Sequence, residues 1–180
     1  MKSNNIVIII YNYQIYIDCN NKLDVIDIDK NTIKEGRINN IKRFINYMKQ
    51  SKIIKTSSFK LVNDNILILY FGNYNDMELN NILNAFKDEG YEKVKLQHIS
   101  KVLDSNYGYL FNSNGYYYLI DIDNYVLYSK YLDSSLLDLN KTYIMDYNSY
   151  QKLSLFDNKN IYYINDIHQY IKSCLVKRNK

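Results

Sequence analysis

Three aspartates are the residues of this chain whose positions could support metal-dependent chemistry. Asp121 and Asp123 lie around the end of an apolar run at residues 116–121, and Asp18 lies near the end of an earlier one. Carboxylates on neighbouring strands can hold two metal ions in a nuclease or phosphotransferase. Such a site also needs a carboxylate on the first strand, and residues 6–10 contain none. We therefore interpret all three as surface or turn carboxylates and assign no catalytic residue.

The histidines and cysteines form no recognisable nucleophile or metal motif. His98 and His168 are the only histidines, and neither has a serine, cysteine or carboxylate at an instructive spacing. We expect His168 to face solvent and Cys174 to lie on the apolar face of a helix; a Cys174 nucleophile acting with His98 is the alternative. Cys19 and Cys174 are far apart and lack metal-ligand spacing, which predicts reduced thiols in a cytoplasmic protein.

The composition is that of a globular protein. The chain has 180 residues, of which 47% are hydrophobic, and its abundant Asn, Ile, Tyr and Lys indicate an A/T-rich genome. The net charge is +4, and basic residues alternate with acidic ones except at the C-terminal Lys177-Arg178-Asn179-Lys180. Cations suit a helix C-terminus, so we expect neither nucleic-acid binding nor peripheral membrane contact through this tail. We find no run of about 20 apolar residues that would predict a transmembrane segment.

Apolar periodicity predicts a sheet followed by alternating helices and strands. Three strands, at residues 5–11, 13–19 and 23–29, come first, and the continuous apolar run of the first is typical of a central strand. The segments that follow are a helix at 32–50, a strand at 66–70, a helix at 75–90 that starts with a capping box of Asn75 and Glu78, a strand at 91–96 and a helix from residue 98. The order β-β-β-α-β-α-β-α predicts an α/β protein with a mixed sheet, helices on both faces and right-handed crossovers, the ribonuclease H-like arrangement.

The rest of the chain predicts an abbreviated second α+β half. Short strands are expected at residues 116–121, 125–131, 142–145 and 160–164, with a final helix from Asp166 to Val176. No sequence repeat or low-complexity linker divides the chain. We predict a ribonuclease H-like subdomain at residues 1–111 and a second half at residues 112–180, which contains a β-hairpin and is expected to pack on the first.

The order and spacing of several segments carry a resemblance to a known superfamily. These segments are Gly36-Arg37-Ile38 and residues 66–73, 78–86, 89–96 and 118–123. From residue 33 to residue 131 the chain resembles the first lobe of the actin-like ATPases, which include MreB, FtsA and PilM. The resemblance implies a ribonuclease H-like fold and two phosphate loops that bind a nucleotide.

The phosphate loops themselves are not retained. The first loop of that superfamily is Asp-x-Gly at the end of strand 1, because a carboxylate holds metal-bound water and glycine lets the backbone approach phosphate. This chain has Ile10-Tyr11-Asn12 there, and at the glycine-rich second loop it has Asp121-Ile122-Asp123-Asn124-Tyr125. The remaining length also leaves no room for a second lobe. We expect no cofactor, with Asp121 and Asp123 the positions through which any residual nucleotide or magnesium binding would act.

Retention of the fold without its phosphate loops predicts a non-catalytic protein that binds other proteins, including further copies of itself. By analogy of fold alone, it would be a scaffold or assembly component of a bacterial or mobile-element system, of the pilus-assembly or division type. One alternative is a small metal-dependent nuclease or phosphotransferase that uses Asp121 and Asp123. Another is a self-associating structural protein that uses an exposed sheet edge in the Tyr-rich second half.

Overall fold

The protein consists of two compact units, which divide the chain at His98 and Ile99. The computed structural model describes residues 5–55, 64–121, 126–131, 135, 137–138, 140–147, 149 and 160–178. The boundary that we predicted at residue 111 falls inside a strand, Gly108–Ser113, that pairs with two strands of the second unit. The first unit therefore ends earlier than expected.

The first unit is built on a five-stranded mixed sheet. In chain order it contains β1 (Asn5–Tyr11), β2 (Gln14–Cys19), β3 (Lys22–Asp27), β4 (Ile33–Lys34), β5 (Arg37–Ile38), α1 (Ile41–Met48), α2 (Lys52–Lys55), β6 (Asn65–Tyr70), α3 (Asp76–Asp88) and β7 (Val94–His98). The strand order is β3-β2-β1-β6-β7. The central strand β1 runs antiparallel to β2 and parallel to β6, and β7 continues the parallel half. This is the arrangement predicted from the sequence.

The predicted helix at residues 32–50 is shorter than expected because its first part is a hairpin. Glu35 and Gly36 have φ angles of 54° and 66°, which reverse the chain between β4 and β5. Helix α1 then begins at Ile41, and the Asn40 side chain accepts a hydrogen bond from the Arg43 N–H at 3.1 Å. The spacing of apolar residues in the hairpin and in α1 together resembles the period of one continuous helix, which explains the longer prediction.

The core of the first unit lies between the sheet and its helices. Phe44 of α1 and Phe86 of α3 are fully buried and meet edge to face, with ring centroids 6.3 Å apart. They belong to one apolar cluster with alternate residues of β1, namely Ile6, Ile8 and Ile10. Both helices therefore cover the same face of the sheet. Helix α3 begins with the predicted capping box of Asn75 and Glu78.

The second unit contains a complete five-stranded sheet. After a 3₁₀ turn at Ile99–Lys101 come β8 (Gly108–Ser113), β9 (Tyr116–Ile120), β10 (Val126–Ser129), β11 (Tyr143–Asp146), β12 (Ile161–Ile164) and α4 (Ile167–Arg178). The order β10-β9-β8-β11-β12 repeats that of the first sheet, with β8 antiparallel to β9 and parallel to β11. The helix predicted from residue 98 is only the 3₁₀ turn, and β8 was not predicted. The expectation that no second lobe fits was therefore wrong.

Close packing explains why β8 was difficult to recognise. All six of its residues are buried, so the strand shows no alternation of apolar and polar positions. It also begins with a glycine, a residue that is depleted in strands. At Gly108 an added Cβ would lie 2.5 Å from Cε1 of the buried Tyr143 ring, so only glycine fits. Within the described part of the chain, no helix has the length and apolar character needed to cross a membrane.

Candidate functional site

Ligands of open α/β sheets usually bind beyond the carboxyl ends of the parallel strands. In the first unit this edge is formed by the ends of β1, β6 and β7. The β1–β2 turn at Asn12 and Tyr13, the residues after β6 and the end of β7 therefore lie where the first phosphate loop of an actin-like ATPase would be expected. We refer to this region as the first carboxyl edge.

Aromatic rings fill the first carboxyl edge. Tyr11 and Phe71 are buried and their ring centroids lie 5.3 Å apart, while Tyr70 meets the His98 ring edge to face at 5.5 Å. The His98 Nε2 atom lies 2.8 Å from the Phe71 carbonyl oxygen, within hydrogen-bond distance. Burial raises the pKa of Tyr70 above its ordinary value, so its hydroxyl stays protonated and uncharged. Three strand ends are thus joined by ring packing.

The β1–β2 turn does not fit a phosphate group. Asn12 and Tyr13 have φ angles of 50° and 56°, and together they form the two-residue turn that reverses the chain. Phosphate binding in this position needs a backbone that phosphate can approach and a carboxylate for the metal-bound water. Both turn residues carry side chains, and neither is acidic. The residues present therefore do not match a nucleotide and its magnesium ion.

The β4–β5 hairpin is fastened to the residues that follow the first carboxyl edge. Arg37 donates from Nη1 to Glu78 Oε1 at 3.2 Å, and the Ile38 N–H donates to the Tyr74 hydroxyl. Burial raises the pKa of Tyr74, so this hydroxyl stays protonated. The edge is therefore held by polar contacts as well as by rings.

A phosphate loop is expected at the carboxyl ends of the parallel strands, and Asp121 lies at the opposite edge of the second sheet. It follows β9, which runs antiparallel to β8, so it lies near the amino ends of β8 and β11. Lys141 Nζ contacts both carboxylate oxygens of Asp121 at 2.7 Å, and this hydrogen bonding raises the pKa of Lys141. The carboxylate is therefore part of an ion pair. Asp123 lies outside the described residues.

The turn of the second sheet that matches the β1–β2 turn is at Asn114 and Gly115. These residues have φ angles of 59° and 78° and connect β8 to β9 at the carboxyl edge. Beside them Asp146, at the end of β11, is buried and its Oδ1 accepts the N–H groups of Asn112 at 3.1 Å and Ser149 at 3.3 Å. This cluster was not predicted from the sequence, although an Asn-Gly pair after an apolar run is a strong hairpin signal. The arrangement ties β8, β11 and the following turn together.

The other predicted side chains are more buried than expected. His168 is only 4% exposed, which corrects the expectation that it faces solvent, and Asp18 is 8% exposed at the end of β2. Cys174 lies on α4 and is buried, as predicted, and both cysteines are free thiols. Burial raises the pKa of Cys19, with smaller contributions from nearby carboxylates. Among the described residues, no three His, Cys, Asp or Glu side chains are grouped as metal ligands.

Comparisons with known proteins give distant structural similarities and no match of sequence. No protein-family model and no curated protein matches the chain. Similar solved structures include MreB5 of Spiroplasma citri bound to ADP, with 12% identity and a TM-score of 0.47 over 66% of this chain and 48% of MreB5. A Pseudomonas aeruginosa protein with similarity to the peptidase YeaZ has 6% identity and a TM-score of 0.47. The matched region covers 99% of this chain and 94% of the Pseudomonas aeruginosa chain. An exopolyphosphatase from Cytophaga hutchinsonii has 10% identity and a TM-score of 0.45, over 85% of this chain and 69% of the exopolyphosphatase chain.

The chain spans about half the length of the MreB5 chain that it matches. The identities are too low to assign an activity, and the strand order carries the fold assignment. Both sheets place three antiparallel strands beside two parallel ones, in the order third, second, first, fourth, fifth. The ribonuclease H-like, actin-like fold predicted from the sequence is therefore confirmed.

Proposed function

We propose that this protein is a non-catalytic member of the actin-like fold that acts by binding other proteins, as a scaffold or assembly component. The observation that supports the proposal is the first carboxyl edge, where the strand ends carry the packed rings of Tyr11, Phe71 and Tyr70 and the turn after β1 has neither a carboxylate nor a glycine. The two free cysteine thiols suit a reducing compartment such as the cytoplasm.

The surface of each unit supports a binding role. In β3, the first strand in the order of the first sheet among the described residues, Leu23 and Val25 are 49% and 44% exposed. In β12, the last strand of the second sheet, Tyr162 and Tyr163 are 62% and 53% exposed. Edge strands present unpaired N–H and C=O groups, and extended segments of partners can add to them. Apolar side chains along such an edge would strengthen the contact.

A ligand-dependent thermal shift tests the non-catalytic half of the proposal. A nucleotide present at 100 times its Kd stabilises the folded state by about 2.7 kcal/mol. For a chain of this length, each kcal/mol raises the melting temperature by roughly 2–4 °C, so a retained nucleotide site would give a rise of roughly 5–11 °C. We expect ATP, ADP and GTP to give no such rise with or without Mg²⁺. A rise with nucleotide, together with hydrolysis of ATP, would overturn the proposal.

The same assay addresses the nuclease alternative. A rise with Mg²⁺ or Mn²⁺ alone that is lost in Asp121→Asn and kept in the control Asp88→Asn would favour that alternative. Asp88 ends α3 in the first unit and is exposed, so the control removes a carboxylate without altering the second sheet. We expect neither variant to change the response to metal.

The protein-binding half needs a defined surface. We expect Val25→Lys to weaken recovery of the native partner from the source cell, because it places a charge on the exposed face of β3. Met77→Lys is the matched control, since Met77 is also exposed but lies in the first turn of α3. If both variants recovered the same proteins as the unmodified chain, the β3 surface would be excluded as the binding site.

A further inference from the structure

The second unit contains a cavity of about 670 Å³ at the amino ends of β8, β11 and β12. It is bounded by the segment that leads into β8, the start of β11, the exposed side of β12 and one face of α4. Small-molecule sites in proteins typically enclose about 300–1,000 Å³. The cavity lies at the opposite edge of the sheet from the usual ligand position of this fold, so it is separate from any nucleotide site.

Aromatic side chains from three different elements line this cavity. Tyr107 comes from the segment before β8, Tyr162 from β12 and Tyr170 from α4. Ile144 and Leu103 add aliphatic surface between them. Rings favour the faces and edges of other rings at centroid distances of about 4.5–7 Å. The walls therefore suit a flat aromatic group better than a flexible aliphatic one.

A cation lies at the rim of the cavity. Tyr170, Cys174 and Lys177 line it from α4, at spacings of four and three residues that place them on one helix face. Among the described residues, no carboxylate forms a salt bridge with Lys177. The acidic group in the lining, Asp104, accepts the Asn106 N–H at 3.0 Å through Oδ1, which directs that oxygen into its own turn. Lys177 is the cationic group that the lining offers to a ligand.

We propose that this cavity is a binding site for a small planar aromatic anion, such as an aromatic carboxylate. The ring would lie among the tyrosines and the carboxylate would pair with Lys177. The proposal does not rest on the protein-binding role described above, although Tyr162 belongs to both surfaces. A nucleotide bound at the other edge or an absent protein partner would leave it unchanged.

The composition of the chain allows a direct measurement. Since the protein has no tryptophan, fluorescence excited at 295 nm comes from an indole probe alone. Two probes share the same ring and differ in charge, namely indole-3-acetate and its neutral analogue indole-3-acetamide. We expect the unmodified protein to bind the acetate at least fivefold more tightly than the amide. Equal affinity for the two probes, or no binding of either at millimolar concentration, would overturn the proposal.

Variants separate the role of charge from that of ring contact. Lys177→Gln should remove the preference for the acetate and leave the affinity for the amide unchanged, whereas Lys87→Gln on α3 should leave both affinities unchanged. Tyr162→Ser should weaken both probes by a similar factor, because it removes one wall of the cavity. Tyr162 is largely exposed, so this variant is expected to fold. A preference for the acetate that survived in Lys177→Gln would place the anion elsewhere and refute the assignment.

Discussion

Replacing Gly72 with alanine should detach the β4–β5 hairpin from the residues that follow β6. A Cβ at this position would lie 2.3 Å from Cγ of Arg37 and 2.4 Å from the carbonyl oxygen of Glu35. The Arg37 side chain can rotate away, but the Glu35 carbonyl belongs to the backbone and can move only with the hairpin. The substitution therefore tests whether this hairpin is fastened as the structure describes.

The cost follows from the contacts that a displaced hairpin would lose. The Gly72 N–H donates to the Gly36 carbonyl oxygen at 3.1 Å, and a hydrogen bond of this kind contributes about 0.5–1.5 kcal/mol. The half-exposed ion pair of Arg37 and Glu78 adds about 0–1 kcal/mol. Overpacking of a close contact typically costs about 1–3 kcal/mol. We expect Gly72→Ala to lower the free energy of unfolding by about 1.5–5.5 kcal/mol in total.

Chemical denaturation of four proteins provides the measurement: the unmodified chain, Gly72→Ala, Arg37→Ala and the double variant. Arg37→Ala removes the Cγ and Cδ atoms that the new Cβ would meet. Gly72→Ala should therefore lower the free energy of unfolding less in the Arg37→Ala variant than in the unmodified chain, and the loss that remains there would come from the contact with the Glu35 carbonyl. Hydrogen exchange of the Ile38 N–H, which donates to the Tyr74 hydroxyl, should become faster in Gly72→Ala.

Gly90→Ala is the matched control for this experiment. Gly90 has a φ of 86°, and no atom lies within 4 Å of its added Cβ. Only the backbone strain of about 1–2 kcal/mol applies there. The reasoning would be refuted if Gly72→Ala cost no more than Gly90→Ala, or if its cost were the same with and without Arg37.

Three further predictions concern single side chains. Asn75→Ala should lower the free energy of unfolding by about 0.5–2 kcal/mol, measured by urea denaturation, because it removes the cap of α3. Phe86→Ala should cost about 3–5 kcal/mol in the same assay, since its ring is fully buried against Phe44. Burial raises the pKa of Tyr109 from 10.0 to about 12, so its contribution to stability is complete below pH 10 and is lost as the pH rises to about 12. Tyr109→Phe should therefore lose less stability than the unmodified chain over that range, and an equal loss would contradict this account.

Local patterns were sufficient to predict much of the first unit. The apolar run of β1 indicated a central strand, and the Asn75 and Glu78 pair located the start of α3, because both signals depend on residues close in sequence. Residues 33–38 were mistaken for helix because their apolar spacing resembles a helical period, whereas they form a hairpin whose Gly36 carbonyl accepts the N–H of Gly72, far along the sequence. Strand β8 was missed because burial on both faces removes alternation.

The candidate sites divide in the same way. The sequence alone determined that the first β1–β2 turn lacks a carboxylate and glycine, because residue identity decides which groups can bind phosphate. Tertiary structure decided that Asp121 pairs with Lys141 at the opposite edge of the second sheet and that Tyr107, Tyr162 and Tyr170 surround one cavity. Strand direction and long-range pairing set these positions, and neither is encoded in the spacing of neighbouring residues. The chemistry available to this protein was therefore readable from its residues, whereas the places where that chemistry could act depended on how distant strands pair.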